Sequence, residues 1–360
     1  MNDRESGRGL APVFKYAGAF VAWVIGAGFA TGQEILQFFT SYGLMSYAVV
    51  LLTLACFVAL GCVMLTTGYE HRQEEHFDYC RCYCGKWLGA FYSWFVPASL
   101  VLLMPVLVAA AGASLNQYFG LWRWVGSALM ALMVLGAYLV GFEKLVRIVS
   151  LTGPVIILFT LTVGTITVVR DFGNFSAVAG YASVLSAAKA APNWVLSTLL
   201  YLPLTFCCGS AYYNELGRSA DNHAAAKWGS VAGAVAVVGA IAIMNTAILL
   251  NAGDASSLAV PTLYLARKLF YLLGAAFAVV LFLGVFSCCS AMMWTICNRL
   301  PTAGTSKDRY AAAAVSAAAF LLGLLPFARL VATIYPFIGL LGLPFVACVL
   351  WKGLKSLKSR

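Results

Sequence analysis

Charge is what this chain has least of. Asp and Glu together number 13 in 360 residues, Lys and Arg 23, and His three, so charged side chains make up 10% of the sequence. A soluble domain carries about 25%, and a chain this short of ionic groups cannot cover a water-facing surface. A soluble enzyme, a disordered chain and a nucleic-acid binder are excluded on that ground. No G-x-x-x-x-G-K-[ST] phosphate loop occurs, and no polar stretch is long enough to house an ATPase domain. No C-x-x-C pair occurs either: most of the 11 cysteines lie inside apolar runs, where thiols behave as small hydrophobes and are expected to stay reduced. The amino terminus, polar up to Lys15, leads into an apolar run without an A-x-A-type cleavage site, so no removable signal peptide is expected.

What the chain has in excess is apolar surface. Hydrophobic residues make up 62%, and the mean hydropathy is +0.88. At roughly 20 apolar residues per bilayer crossing this supplies about ten transmembrane helices. Apolar runs fall at 12–40, 46–69, 90–118, 123–141 and 146–169 and, after a polar connector at 170–192, at 193–216, 224–250, 271–298, 309–325 and 328–351. With a cytoplasmic amino terminus, the inside segments hold 17 Lys and Arg residues and the outside ones six. The positive-inside rule therefore predicts a multi-pass protein with both termini cytoplasmic. An odd number of crossings per half makes the second half (193–351) enter the membrane opposite to the first (12–169), the pattern of an inverted repeat in a single transmembrane domain.

The first and sixth runs carry helix-weakening residues at matching depth. The first contains Gly26-Ala27-Gly28-Phe29-Ala30-Thr31-Gly32 and the sixth Leu202-Pro203-Leu204-Thr205-Phe206-Cys207-Cys208-Gly209-Ser210. A helical glycine costs about 1 kcal/mol relative to alanine, and proline removes a donor and crowds the turn before it. Irregular backbone at membrane depth is tolerated where protein, water or a solute satisfies it. Two such breaks predict a midplane binding site formed by Gly26, Ala27, Gly28, Phe29, Ala30 and Thr31 together with Tyr201, Leu202, Pro203, Thr205 and Phe206. Amides around Gly28 to Ala30 would face an anionic group such as a carboxylate. Carbonyls from Ala22 to Ile25 would suit a cation.

The stretch Phe14-Lys15-Tyr16-Ala17-Gly18, followed by Val24-Ile25-Gly26-Ala27-Gly28-Phe29-Ala30-Thr31-Gly32-Gln33-Glu34-Ile35, resembles the first helix of the YkvI-type bacterial membrane proteins. More broadly, Gly26-Ala27-Gly28-Phe29 is similar to the break of the amino acid, polyamine and organocation transporter superfamily. That resemblance implies an all-α fold of ten transmembrane helices in a LeuT-like five-plus-five inverted repeat, with the first and sixth discontinuous. It also implies a sodium site between carbonyls of the first helix, at Ala22 and Ile25, and the eighth run, at Gly284, Ser287 and Cys288. Cys288 puts a soft thiol where a second hydroxyl is expected, so sodium and protons both stand as coupling ions, and no cofactor is implied.

Glu34 is the one acid well inside a span. It lies six residues past the break, about 9 Å along a helix, and an intramembrane carboxylate implies proton coupling or contact with a substrate amine. Gln37 and Ser41 share its helical face. Asn116, Gln117 and Asn245 are expected at solvated helix ends, and Glu215 with Arg218 as a solvated pair. The Cys80-Arg81-Cys82-Tyr83-Cys84 motif near His71 and His76 lacks the spacing of a structural zinc site, so no metal is expected there.

The sequence thus predicts an ion-coupled secondary transporter of the bacterial cytoplasmic membrane, neither an enzyme nor a nucleic-acid binder. Its partners would be lipid and a small solute, an amino acid or related amphoteric metabolite by analogy with the superfamily. The alternative is a membrane sensor that binds its ligand with the same fold and does not transport it.

Overall fold

Backbone placed in lipid must satisfy its own N–H and C=O groups, and a helix does so within one segment. The computed structural model describes residues 10–75, 77–140, 152–299 and 307–358, and among them every regular element is helical. Of the residues read for topology, Arg4, Arg8, Lys144, Arg147 and Arg360 lie outside that set, as does His76.

The first apolar run is divided into α1 (Leu10–Val24), α2 (Ala27–Thr31) and α3 (Gln33–Phe38). A 3-10 turn leads into α4 (Ser46–Glu70), followed by α5 (Tyr79–Phe119), α6 (Arg123–Val140) and α7 (Thr152–Asp171). The connector forms a 3-10 segment and the short α8 (Ala182–Ser186). The second half comprises α9 (Trp194–Phe206), α10 (Ser210–Arg218), α11 (His223–Leu249), α12 (Ala252–Ala255), α13 (Pro261–Leu269), α14 (Tyr271–Cys297), α15 (Asp308–Gly323) and α16 (Phe327–Lys358). Among the described residues, seven helical segments are long and apolar enough to cross a membrane, and α9 with α10, bent by 57°, makes an eighth. The first run falls short because it is cut twice, and α15 because it has 16 residues.

The third run begins earlier than its hydropathy suggests. Asp78 caps α5 by accepting the Arg81 N–H, and the first turns leave the helix axis at Gly85, whose φ of 72° only glycine adopts cheaply.

Helix α1 packs on α11, α11 on α4, α9 on α16 and α5 on α14. Helices α4 and α10 cross with their main chains in close approach. A Cβ on Gly217 would meet the Leu65 carbonyl, and one on Gly68 the backbone of Asn214. Main chain cannot yield as a side chain does, so Gly217→Val is expected to lower stability by about 1–3 kcal/mol or more. An unaltered thermal midpoint in detergent would contradict this close approach.

Asn245 departs from the sequence expectation. It is fully buried, taking a hydrogen bond from Thr40 Oγ1 at 2.9 Å and donating one to Ser46 Oγ at 2.8 Å. An amide at that depth is retained only if paired, and its partners lie some 200 residues away in sequence. Gln117 likewise clasps Val260, donating to its carbonyl at 2.8 Å and accepting its N–H at 2.9 Å. Asn116, by contrast, caps an exposed end through the Leu121 carbonyl.

Candidate functional site

The first break follows from its glycines. Gly26 is extended (φ −105°, ψ −162°) and its N–H turns to Val24 O at 2.9 Å, leaving the Ala22 carbonyl without the partner a continuous helix would supply. Helix α2 then ends at Gly32, whose φ of 78° is left-handed, so the run is interrupted twice where the sequence suggested one break. The Ala30 N–H donates to Gly26 O at 3.0 Å and is not available to a ligand, contrary to expectation.

The second break is displaced from the proline. Pro203 lies inside α9, and the chain turns at Cys207 to Gly209, before α10. One missing donor did not end the helix. Trp23, beside the first break, reaches across to the second: its indole N–H donates to the Thr205 carbonyl at 3.2 Å, and a Cβ on Gly209 would run into that ring.

Between the breaks lies a cavity of about 340 Å³. Ala22, Gly26, Gly28 and Phe29 line it from the first run, and Tyr201, Thr205 and Cys208 from α9 and the turn after it. Helix α14 contributes Ser287, Cys288, Ala291, Met292 and Thr295, one helical face running two turns toward its carboxyl end. Leu100, Leu103 and Leu107 of α5 form an apolar wall.

Among the described residues, Glu34 supplies the one carboxyl on this cavity, and no lysine or arginine lines it. Its carboxyl folds back over the break: a Cβ on Gly28 would collide with Glu34 Oε1 and approach the Tyr335 hydroxyl to 3.2 Å. Tyr335, from α16, donates to Glu34 Oε1 at 2.9 Å. Gln37 and Ser41 do not share this setting. Gln37 donates to the Ala328 carbonyl at 2.9 Å, and Ser41 to the Gln37 carbonyl at 2.8 Å.

Several residues expected at the site lie elsewhere. Ile25, Ala30, Thr31, Leu202 and Pro203 are buried off the cavity, and Thr31 bonds back to Gly28 O at 2.6 Å. Phe206 packs among Phe20, Phe57 and Tyr213. Gly284 faces Ile156 of α7. The side chain of Ala27 lies outside the described residues. Conversely, Tyr335, Trp23, Cys208 and the α5 leucines carry no sequence signal that separates them from ordinary core.

Beyond Glu34 the other end is filled. Phe38 packs on Tyr201 and Tyr335 with ring centroids 5.6 and 6.4 Å apart, and Ser197 donates to the Phe38 carbonyl at 2.7 Å. The connector seals this end: Ala190 N–H donates to Gln37 O at 3.1 Å, and the Tyr42 hydroxyl to Ala191 O at 2.6 Å.

Tyr335→Phe tests the carboxyl's support. Leaving Glu34 Oε1 without its donor is expected to cost about 1–3 kcal/mol of stability, read by thermal unfolding; an unchanged midpoint would contradict it.

Glu215 and Arg218 form the expected exposed pair at 2.9 Å, and Arg218 also donates to the Glu74 carbonyl at 2.6 Å. Cys82 Sγ lies 3.8 Å from His71 Nε2, and no group of three or more His, Cys, Asp or Glu side chains is arranged to hold a metal among the described residues.

No family model matches the chain. It is 22% identical over 356 residues to the uncharacterized membrane protein YkvI of Bacillus subtilis, covering 97% of both chains. It is 24% identical over 336 residues to the uncharacterized protein YyaD of the same organism, covering 91% of this chain and 93% of that one. Among solved structures it matches a manganese transporter of Eremococcus coleocola at a TM-score of 0.53 and 15% identity, covering 97% of this chain and 80% of that one. The same transporter in complex with an aromatic bis-isothiourea substituted compound matches at a TM-score of 0.52 and 16% identity, over 95% and 78%. The solved structures are of a transporter and not of an enzyme. The likeness to YkvI read from the first helix extends over nearly the whole length, and the chain is a multi-helix membrane protein that shares its fold with a solved transporter.

Proposed function

We propose that this protein is an ion-coupled secondary transporter of a small amine-bearing solute, an amino acid or related amphoteric metabolite. The ten apolar runs are then ten crossings in a five-plus-five inverted repeat, the first being α1 to α3 and the sixth α9 with α10, in the bacterial cytoplasmic membrane with both termini cytoplasmic. The observation that carries this reading is one acid, Glu34, held by Tyr335 over Gly28 in a cavity between two broken helices.

An uncompensated carboxylate away from bulk water is costly. The site relieves that cost with a proton or a cation beside Glu34, since among the described residues no lysine or arginine lines the cavity to serve instead. Because the carboxyl itself covers Gly28, the solute's ammonium end faces Glu34 and its apolar body lies along Leu103, Leu107 and Met292. Ser287 and the Ala22 carbonyl offer oxygens to a sodium ion; Glu34 offers a proton site. The structural neighbour is a manganese transporter, but a divalent ion is best balanced by more than one anionic donor, and this cavity offers a single carboxylate beside neutral hydroxyls and thiols, a charge that one ammonium matches. With the connector end filled and the cavity running toward the carboxyl end of α14, the conformation is inward-facing under the proposed topology.

Thermal unfolding in detergent across amino acids, simple amines and Mn²⁺, with sodium or potassium and at two pH values, tests the reading. A ligand at 100 times its Kd adds about 2.7 kcal/mol. An amine-bearing hit that fails with Glu34→Gln is the expected result; stabilisation by Mn²⁺ alone would overturn the substrate assignment.

A further inference from the structure

The carboxyl end of α4, the amino end of α11 and the carboxyl end of α16 enclose a second cavity of about 290 Å³ that shares no residue with the first. Val58, Ala59, Val63, Leu350 and Leu354 supply its apolar lining, Cys62, Thr66 and Thr67 its small polar groups, and Glu70, His223, Lys227 and Lys352 its ionisable ones. Along α4, Val58 and Glu70 are 12 residues apart, about 18 Å of helix, so the cavity is a slot running from a polar mouth toward the bilayer interior.

The mouth favours an anion. Lys227 and Lys352 face one glutamate, and among the described residues neither ammonium has a carboxylate within ion-pair distance. Lys352 sits against Cys82 Sγ and 5.1 Å from the Tyr83 ring, and Lys227 5.9 Å from the Trp228 ring. His223 Nε2 is buried with no hydrogen-bond partner. Exposed indoles flank the mouth: Trp228 on α11, 56% exposed, and Trp351 on α16, 64% exposed, the latter 6.0 Å from Lys355 Nζ. Tryptophans beside snorkelling lysines mark headgroup depth.

The geometry points to this slot as a binding site for an anionic phospholipid, its phosphate held at the mouth by Lys227, Lys352 and His223 and one acyl chain lying on Val58, Val63 and Leu350. A free anion would use the charged groups but has no use for the apolar lining; a neutral lipid would use that lining and leave the lysines unmatched. The leaflet follows from the proposed topology, and the binding rests on the slot alone.

The test uses the full-length protein in detergent with phosphatidylglycerol, phosphatidylethanolamine or millimolar inorganic phosphate, read by thermal unfolding and native mass spectrometry. Phosphatidylglycerol is expected to stabilise the protein and stay bound, phosphatidylethanolamine to do so less, and phosphate not at all. Lys227→Gln should weaken phosphatidylglycerol binding about fivefold, one interfacial charge's worth. Ala59→Trp, on a lipid-exposed position, should fill the slot and remove the effect with helicity unchanged. Equal stabilisation by both lipids, a shift reproduced by phosphate alone, or indifference to both substitutions would overturn the assignment.

Discussion

Glu34→Gln is expected to weaken binding of an amine-bearing solute by at least about 100-fold while the protein remains folded. Breaking a buried pair by removing one charge costs about 3–5 kcal/mol, and no other acid lines the cavity to take over. Glutamine keeps the shape and can still accept the Tyr335 hydroxyl that Glu34 Oε1 accepts at 2.9 Å, so the loss would report the charge and not the packing. The variant should also lose any pH dependence of uptake. Isothermal titration with the ligand found by the stability panel checks this, and a Kd within a few fold of the parent would remove Glu34 from the site.

Gly28→Val is expected to abolish ligand binding with the fold retained. The new side chain would enter the volume held by the Glu34 carboxyl and crowd the Tyr335 hydroxyl, so the acid must swing away from the cavity. A flexible carboxyl yields where backbone would not, which is why function suffers more than stability. Gly26→Ala supplies the contrast: its Cβ would meet only Cys288 Sγ, at 3.7 Å, an ordinary contact, and binding should survive. Binding kept in Gly28→Val, or lost equally in both, would count against a site built on the Gly28 face.

These two glycines also mark how far the sequence could be read. The apolar runs were legible because lipid forces backbone into helices, and the first break because glycines at 26, 28 and 32 weaken a helix whatever surrounds them. The second break falls at the carboxyl end of the stretch that the sequence marks, and not at its proline. Pro203 is a strong local signal, yet α9 runs through it and turns only where Gly209 makes room for Trp23, a contact across 186 residues. Glu34 stood out as a lone acid, whereas Tyr335, 301 residues away, is one tyrosine of 17 and has no pattern of its own. Its hydrogen bond is what folds the acid back over the break, so the site's charge sits nearer Gly28 than helix geometry predicted. Asn245 shows the same limit: its partners, Thr40 and Ser46, are set by packing and not by neighbours in sequence.

A secondary transporter of the proposed kind works by alternating access, its cavity between the two broken helices opening to each side of the membrane in turn. Cys288 lines it, and a variant retaining Cys288 alone among the 11 cysteines can be treated with a membrane-impermeant thiol reagent in right-side-out and inside-out vesicles. Labelling from both sides, slowed from both by the stabilising ligand, is the result predicted. Labelling from one side only, at a rate the ligand leaves unchanged, would contradict alternating access and favour a sensor that binds without transporting.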